Sequence, residues 1–170
     1  KLAKDEVEAA KSVAGDALWG LWPEDLDHSS LDSLIDEDGD FFVLPTVNTP
    51  AALLATEELG RLVVIPVDFP EELGRSLEEL PIDAIILSGL EEVAPLSVRN
   101  VLQVRSIRDL TSKPIMLLRS HTLEKEELAV LQDVGIQGVV LDLRTLNGEE
   151  VAQMREAVDE LPPRKSKRES

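Results

Sequence analysis

Six short apolar runs punctuate the chain, at residues 17–22, 41–44, 62–65, 84–87, 115–118 and 139–141, and a polar stretch with helical patterning follows each. The runs lack strict polar–apolar alternation and are rich in β-branched side chains, as expected of strands buried on both faces of a parallel sheet. Their spacing matches one strand plus one crossover helix with short loops. The pattern therefore predicts a βα repeat of six parallel strands covered by helices.

Capping residues set the helix limits. Thr49-Pro50 supplies an N-cap and a first-turn proline for a helix over 51–59, with Gly60 as its stop. Pro70-Glu71-Glu72 opens a second helix, acidic in its first turn, that ends near Leu80-Pro81. A third spans 97–110, and a fourth is capped by Thr122, carries Leu128, Leu131 and Val134 on one face, and stops at Gly135. The last follows Asn147-Gly148-Glu149-Glu150, and residues 2–13 form a helix ahead of the first strand. Between helix and strand, Gly15-Asp16, Gly39-Asp40, Ile82-Asp83 and Ile136-Gln137-Gly138 repeat a polar residue where the next strand begins. An Asp there can accept backbone hydrogen bonds. These joints sit at the strand N-termini, opposite the end where parallel sheets bind ligands, and read as structural.

Residues 126–143 form a helix that ends in glycine and feeds a strand reading Val139-Val140-Leu141-Asp142. This unit resembles the late βα units of aldolase-type and phosphate-binding (β/α)8, or TIM, barrels. The resemblance implies an α/β, TIM-barrel-like fold across almost the whole chain but names no enzyme family. A closed barrel has eight strands and about 250 residues, so six strands imply an incomplete one. The start at Lys1 and the leading helix fit a chain lacking its first two strands. The alternative is an open doubly wound sheet, which accommodates five or six strands. A single domain over 1–161 and a basic, disordered tail over 162–170 are expected.

Composition narrows the function classes. A chain of 170 residues, 43% hydrophobic and 30% charged, can bury a core of ordinary size. Its net charge of -17 repels phosphate backbones and anionic lipid, which argues against nucleic-acid binding. No apolar run approaches the roughly 18 residues that span a bilayer, so no membrane partner and a soluble, cytoplasmic setting are expected. With 0 cysteines, the sequence offers no disulfide, thiolate metal ligand or thiol nucleophile. It carries no dinucleotide fingerprint, P-loop or Gly-x-Ser-x-Gly elbow, and no cofactor is expected. The loops after its last two strands lack the glycine-rich cradle of phosphate-binding barrels.

In either architecture ligands meet the C-terminal ends of the strands. The polar residues there include Asn48, Asp68, Ser88, Arg119, His121, Asp142 and Arg144. Arg119, His121, Asp142 and Arg144 follow adjacent strands and could gather into a mixed-charge cluster. His121 and Asp142 are the catalytic candidates, the imidazole serving as acid or base near neutral pH. Arg119, Arg144, Asp68, Asn48 and Ser88 are the candidate ligand-binding residues for a small anionic metabolite. The plainer reading makes Asp142 with an arginine a rim ion pair and His121 a helix cap. Asp68, Asp142 and His121 have the donor types for a hard cation, but no dense carboxylate motif supports a metal site. The preferred function is a barrel-like domain without a recognisable catalytic set that binds a small anion or self-associates through open sheet edges. The alternatives are a lyase or isomerase of aldolase-type lineage using His121, and a protein-interaction module.

Overall fold

The computed structural model describes residues 7–9, 11–12 and 15–163. Residues 7–9 and 11–12 of the leading helix are helical; its other positions, and the basic tail from 164 onward, lie outside the described residues.

The six strands are β1 (Gly20–Leu21), β2 (Phe41–Leu44), β3 (Gly60–Pro66), β4 (Ala84–Ser88), β5 (Ile115–Arg119) and β6 (Gly138–Leu141). They lie in one sheet in chain order, β1-β2-β3-β4-β5-β6. Parallel register pairs Gly20 with Phe41, Phe41 with Gly60, and Met116 with Gly138. A doubly wound sheet reverses strand order at its switch point. Uniform order removes that alternative and leaves the barrel-type winding.

The α-helices are α1 (His28–Asp36), α2 (Glu71–Gly74), α3 (Val98–Arg108), α4 (Lys125–Val134) and α5 (Gly148–Asp159). Three expectations shift. The helix foreseen over 51–59 is a single 3-10 stretch, Ala51–Ala55, and Gly60 opens β3 instead of ending a helix. The Pro70 helix is α2 followed by a 3-10 stretch, Arg75–Glu79. Helix α4 is capped at Glu124, whose N–H donates to the Glu127 carboxylate at 2.9 Å, and not at Thr122. Gly135 does end α4, at φ 103°, where a side chain would be strained.

Contacts divide the chain into two compact units, residues 1–65 with 80–85, and residues 66–79 with 86–170. In the first, Leu31, Leu34, Phe42, Leu53, Ile65 and Ile85 are fully buried. In the second, Ile86, Leu87, Ile107, Ile115 and Leu117 play that part, together with Val104. Each such side chain stabilises the fold by roughly 1.5–3 kcal/mol of transfer free energy. No helix among the described residues is long and apolar enough to cross a membrane.

The polar residue just before β2, β4 and β6 has a common role. Asp40 donates its N–H to the Trp19 carbonyl at 2.8 Å, and its carboxylate accepts the Trp19 N–H at 2.9 Å. Asp83 and Arg61 repeat the exchange at 2.7 Å in both directions. Gln137 and Ile115 repeat it at 2.9 Å, with an amide oxygen in place of the carboxylate. Each pair extends the ladder by one side-chain rung and fixes which residue begins the strand. Asp83→Ala leaves the Arg61 N–H without this acceptor and is expected to cost about 1 kcal/mol, measured by urea unfolding. Asp83→Asn, which keeps an acceptor oxygen, should recover most of that loss.

Candidate functional site

All of the sequence-predicted site residues except Asn48 lie in the second compact unit. Asn48 is exposed in the first, in a turn where its N–H donates to Thr46 Oγ1 at 3.0 Å. The site is therefore built from the C-terminal ends of β4, β5 and β6.

Strand β5 alternates, with Ile115, Leu117 and Arg119 buried and Met116 and Leu118 half-buried. The apolar run predicted a strand ending at Leu118, which would make Arg119 a loop residue at the rim. The strand continues one residue further, and Arg119 falls on the same face as Leu117, with 0% exposure. Its Nη1 donates to the Leu90 carbonyl and its Nη2 to the Val93 carbonyl at 2.6 Å. Its Nε finds no hydrogen-bond partner among the described residues. Burial lowers the guanidinium pKa, and Glu127, Glu91 and Glu92 act in the opposite direction. A buried cation needs such compensation to stay charged.

The loop over 89–97 is shaped around this cation. Gly89 turns the chain at φ 97°, and its N–H donates to the Glu91 carboxylate at 2.7 Å. The Glu91 carbonyl accepts the Ser120 N–H at 3.1 Å, and Glu127 accepts the Leu96 N–H at 2.7 Å. Ser88, expected just beyond its run, is the last residue of β4, and its carbonyl accepts the Val67 N–H at 3.0 Å. Asp68 follows Val67 and is exposed.

The loops after β5 and β6 are joined. The Asp142 N–H donates to the Arg119 carbonyl at 3.0 Å, and Thr145 Oγ1 donates to the Ser120 carbonyl at 3.0 Å. Asp142 and Arg144 form a two-pronged ion pair, with Nε–Oδ1 at 2.9 Å and Nη2–Oδ2 at 2.7 Å. The Arg144 side chain and backbone hydrogen bonds hold the Asp142 carboxyl at a pKa of about 2. His121 Nε2 lies 3.0 Å from Glu92 Oε2, and both side chains are exposed. The expected cluster thus resolves into Asp142 with Arg144, His121 with Glu92, and Arg119 with backbone carbonyls.

Chemically, this end of the second unit offers one exposed imidazole, His121, beside the Glu92 carboxylate, and one exposed guanidinium, Arg144, paired with Asp142. Among the described residues, no three His, Asp or Glu side chains converge as cation ligands. Glu127 was not foreseen, although its position three residues after Glu124 is capping-box spacing.

No protein-family model and no curated protein matches the chain. Solved structures do. The tryptophan synthase α-subunit of Pyrococcus furiosus aligns with TM-score 0.58 at 13% identity, over 77% of this chain and 58% of its own. The YdjI aldolase of Escherichia coli K12 aligns with TM-score 0.62 at 11% identity, over 94% of this chain and 66% of its own. Both are TIM-barrel enzymes. The chain thus has a TIM-barrel-like α/β fold and spans less than two thirds of the length of either barrel chain.

Two expectations test the site. Arg119→Ala empties a buried volume and leaves the Leu90 and Val93 carbonyls without their donors, so unfolding free energy should fall by about 3–5 kcal/mol. Arg119→Lys should recover only part, because an ammonium lacks the planar fork that reaches two carbonyls. The Asp142 carboxyl lies below its ordinary 3.8 in the folded state, so its stabilisation is complete above that pH and disappears as pH falls towards about 2. The stability gap between wild type and Asp142→Asn should be constant above that ordinary value and close as pH falls through the window towards about 2.

Proposed function

We propose that this chain works by association, as a barrel-type domain without a catalytic set of its own whose edge strand β6 receives another copy of the chain. The half-buried state of β6 carries the reading. All four residues, Gly138, Val139, Val140 and Leu141, are intermediate in exposure, and none is charged or proline. Protected edges ordinarily carry such breakers. A Cβ built on Gly138 would lie 3.1 Å from Met116 Cγ, which places Gly138, and by alternation Val140, on the sheet face of Met116 and Leu118. On the helix-covered side, a groove of about 230 Å³ runs past Leu131, Ile136, Val139, Val158 and Leu161. Apolar surface therefore adjoins, on both faces of the strand, the edge of β6 that faces away from β5 and that no strand among the described residues covers.

A second reading keeps the pocket at the strand ends. The His121–Glu92 pair at 3.0 Å favours an acid/base role in a lyase or isomerase, or simple binding of a small anionic metabolite. Asp142, Arg144, Asp68 and Ser88 would then line the second unit's pocket, while Arg119 would hold the loop from beneath it. A cytoplasmic setting belongs to the same proposal.

Light scattering across a concentration series separates the two. Association predicts a mass that rises towards the dimer at micromolar concentration, more readily at high salt, since two bodies of net charge -17 repel. Val140→Lys should hold the chain monomeric while its melting temperature changes little. A wild type that stays monomeric at every salt concentration overturns association. A thermal shift with an anionic metabolite that is lost in His121→Ala favours the pocket.

A further inference from the structure

The first turns of α3 and α4 border a groove of about 240 Å³, separate from β6, whose walls include Leu96, Val98, Val101 and Val130 and whose rim carries Glu126 and Glu127. The backbone donors nearby are engaged. Asn100 N–H donates to Ser97 Oγ, and Ser97 N–H donates to the Asn100 side chain at 2.9 Å. Glu127 takes the N–H groups of Leu96 and Glu124. With those dipoles answered, the groove presents mainly methyl groups. Helix α3 already buries Val104 and Ile107, yet Val98, which lines the groove, is 78% exposed. Across from it Val130 is 44% exposed. Single exposed aliphatics are ordinary, but several collected around a concavity mark a contact surface.

Size and charge select the occupant. The volume is below the roughly 300–1,000 Å³ of sites for drug-sized ligands, and above the roughly 150 Å³ cavity that admits benzene. One or two apolar side chains fit. Glu124, Glu126 and Glu127 stand at the start of α4 beside Lys125, which is already paired with Glu160, and Arg99 stands at the start of α3. The carboxylates of Glu126 and Glu127 on the rim disfavour an acidic partner here. We propose that the groove receives an aliphatic side chain from a lysine- or arginine-rich segment of another protein, its cations meeting the carboxylates of α4. Recognition of this kind combines an apolar anchor with a charged rim.

The test uses the full chain and a labelled synthetic peptide in which leucines are spaced among lysines, followed by fluorescence anisotropy. The expected result is saturable binding that weakens about tenfold in V98S/V130S and about threefold in Glu126→Lys, with thermal melts close to wild type. The Glu126→Lys effect should vanish near 1 M salt, where screening acts within about 3 Å. Val140→Lys should bind the peptide as wild type does, so that failure of this groove and failure of β6 association are told apart. Equal binding of a lysine–serine peptide reduces the effect to general charge attraction and overturns the proposal. So does equal binding of a leucine–glutamate peptide, or an unchanged affinity in V98S/V130S. Loss of a wild-type dimer in V98S/V130S would assign the groove to a second copy and overturn it too.

Discussion

One cation removed from water organises the C-terminal strand ends of the second unit. The Arg119 guanidinium is fully buried, and its terminal nitrogens are answered by the carbonyls of Leu90 and Val93. Removal of a charge from water costs several kcal/mol unless hydrogen bonds and opposite charges offset it. The chain after β4 must therefore turn its carbonyls inward, and the bonds at Glu91 and Glu127 complete that path. The polar end of β5, which in an enzyme could reach a substrate, serves instead to hold its neighbour's loop. What remains for solvent is the His121–Glu92 pair and the Asp142–Arg144 pair.

Much of the fold was legible because its determinants are local. The apolar runs at 41–44, 62–65, 84–87, 115–118 and 139–141 all fall within strands, and the reciprocal bonds of Asp40, Asp83 and Gln137 follow from a polar residue placed just ahead of β2, β4 and β6. The first run was weaker than it looked: of residues 17–22 only Gly20 and Leu21 pair, opposite Phe41 and Phe42. A Cβ on Gly20 would meet the Phe41 carbonyl at 2.1 Å, so this pairing needs glycine. The stretch after Pro50 had a helix's opening residues but lacked a side-chain cap bond, and it closed after one 3-10 turn.

The site was less legible, for a reason rooted in strand geometry. Side chains alternate across a sheet, so a one-residue error at the end of β5 moves Arg119 from a rim to a sealed interior. Partners far apart in sequence were equally hidden. Nothing near His121 announces Glu92, and nothing near Glu78 announces Thr111 and Ser112, whose hydroxyls it accepts at 2.7 and 2.5 Å. The Ser112 and Thr111 bonds hold the Glu78 carboxyl at a pKa of about 2, although the sequence shows only one more acid in an acidic chain.

The unbroken strand order has a kinetic corollary. Where register is assigned, each strand's partner is the one made immediately before it: Phe41 follows Gly20, Gly60 follows Phe41, and Gly138 follows Met116, each by little more than a single helix and its loops. Among the described residues no strand pairing waits for a distant stretch of polypeptide, so the loop closed at each step is short. A nascent chain leaving the ribosome can lay down its sheet rung upon rung, in the order of translation, much as a repeat array grows from a preformed end.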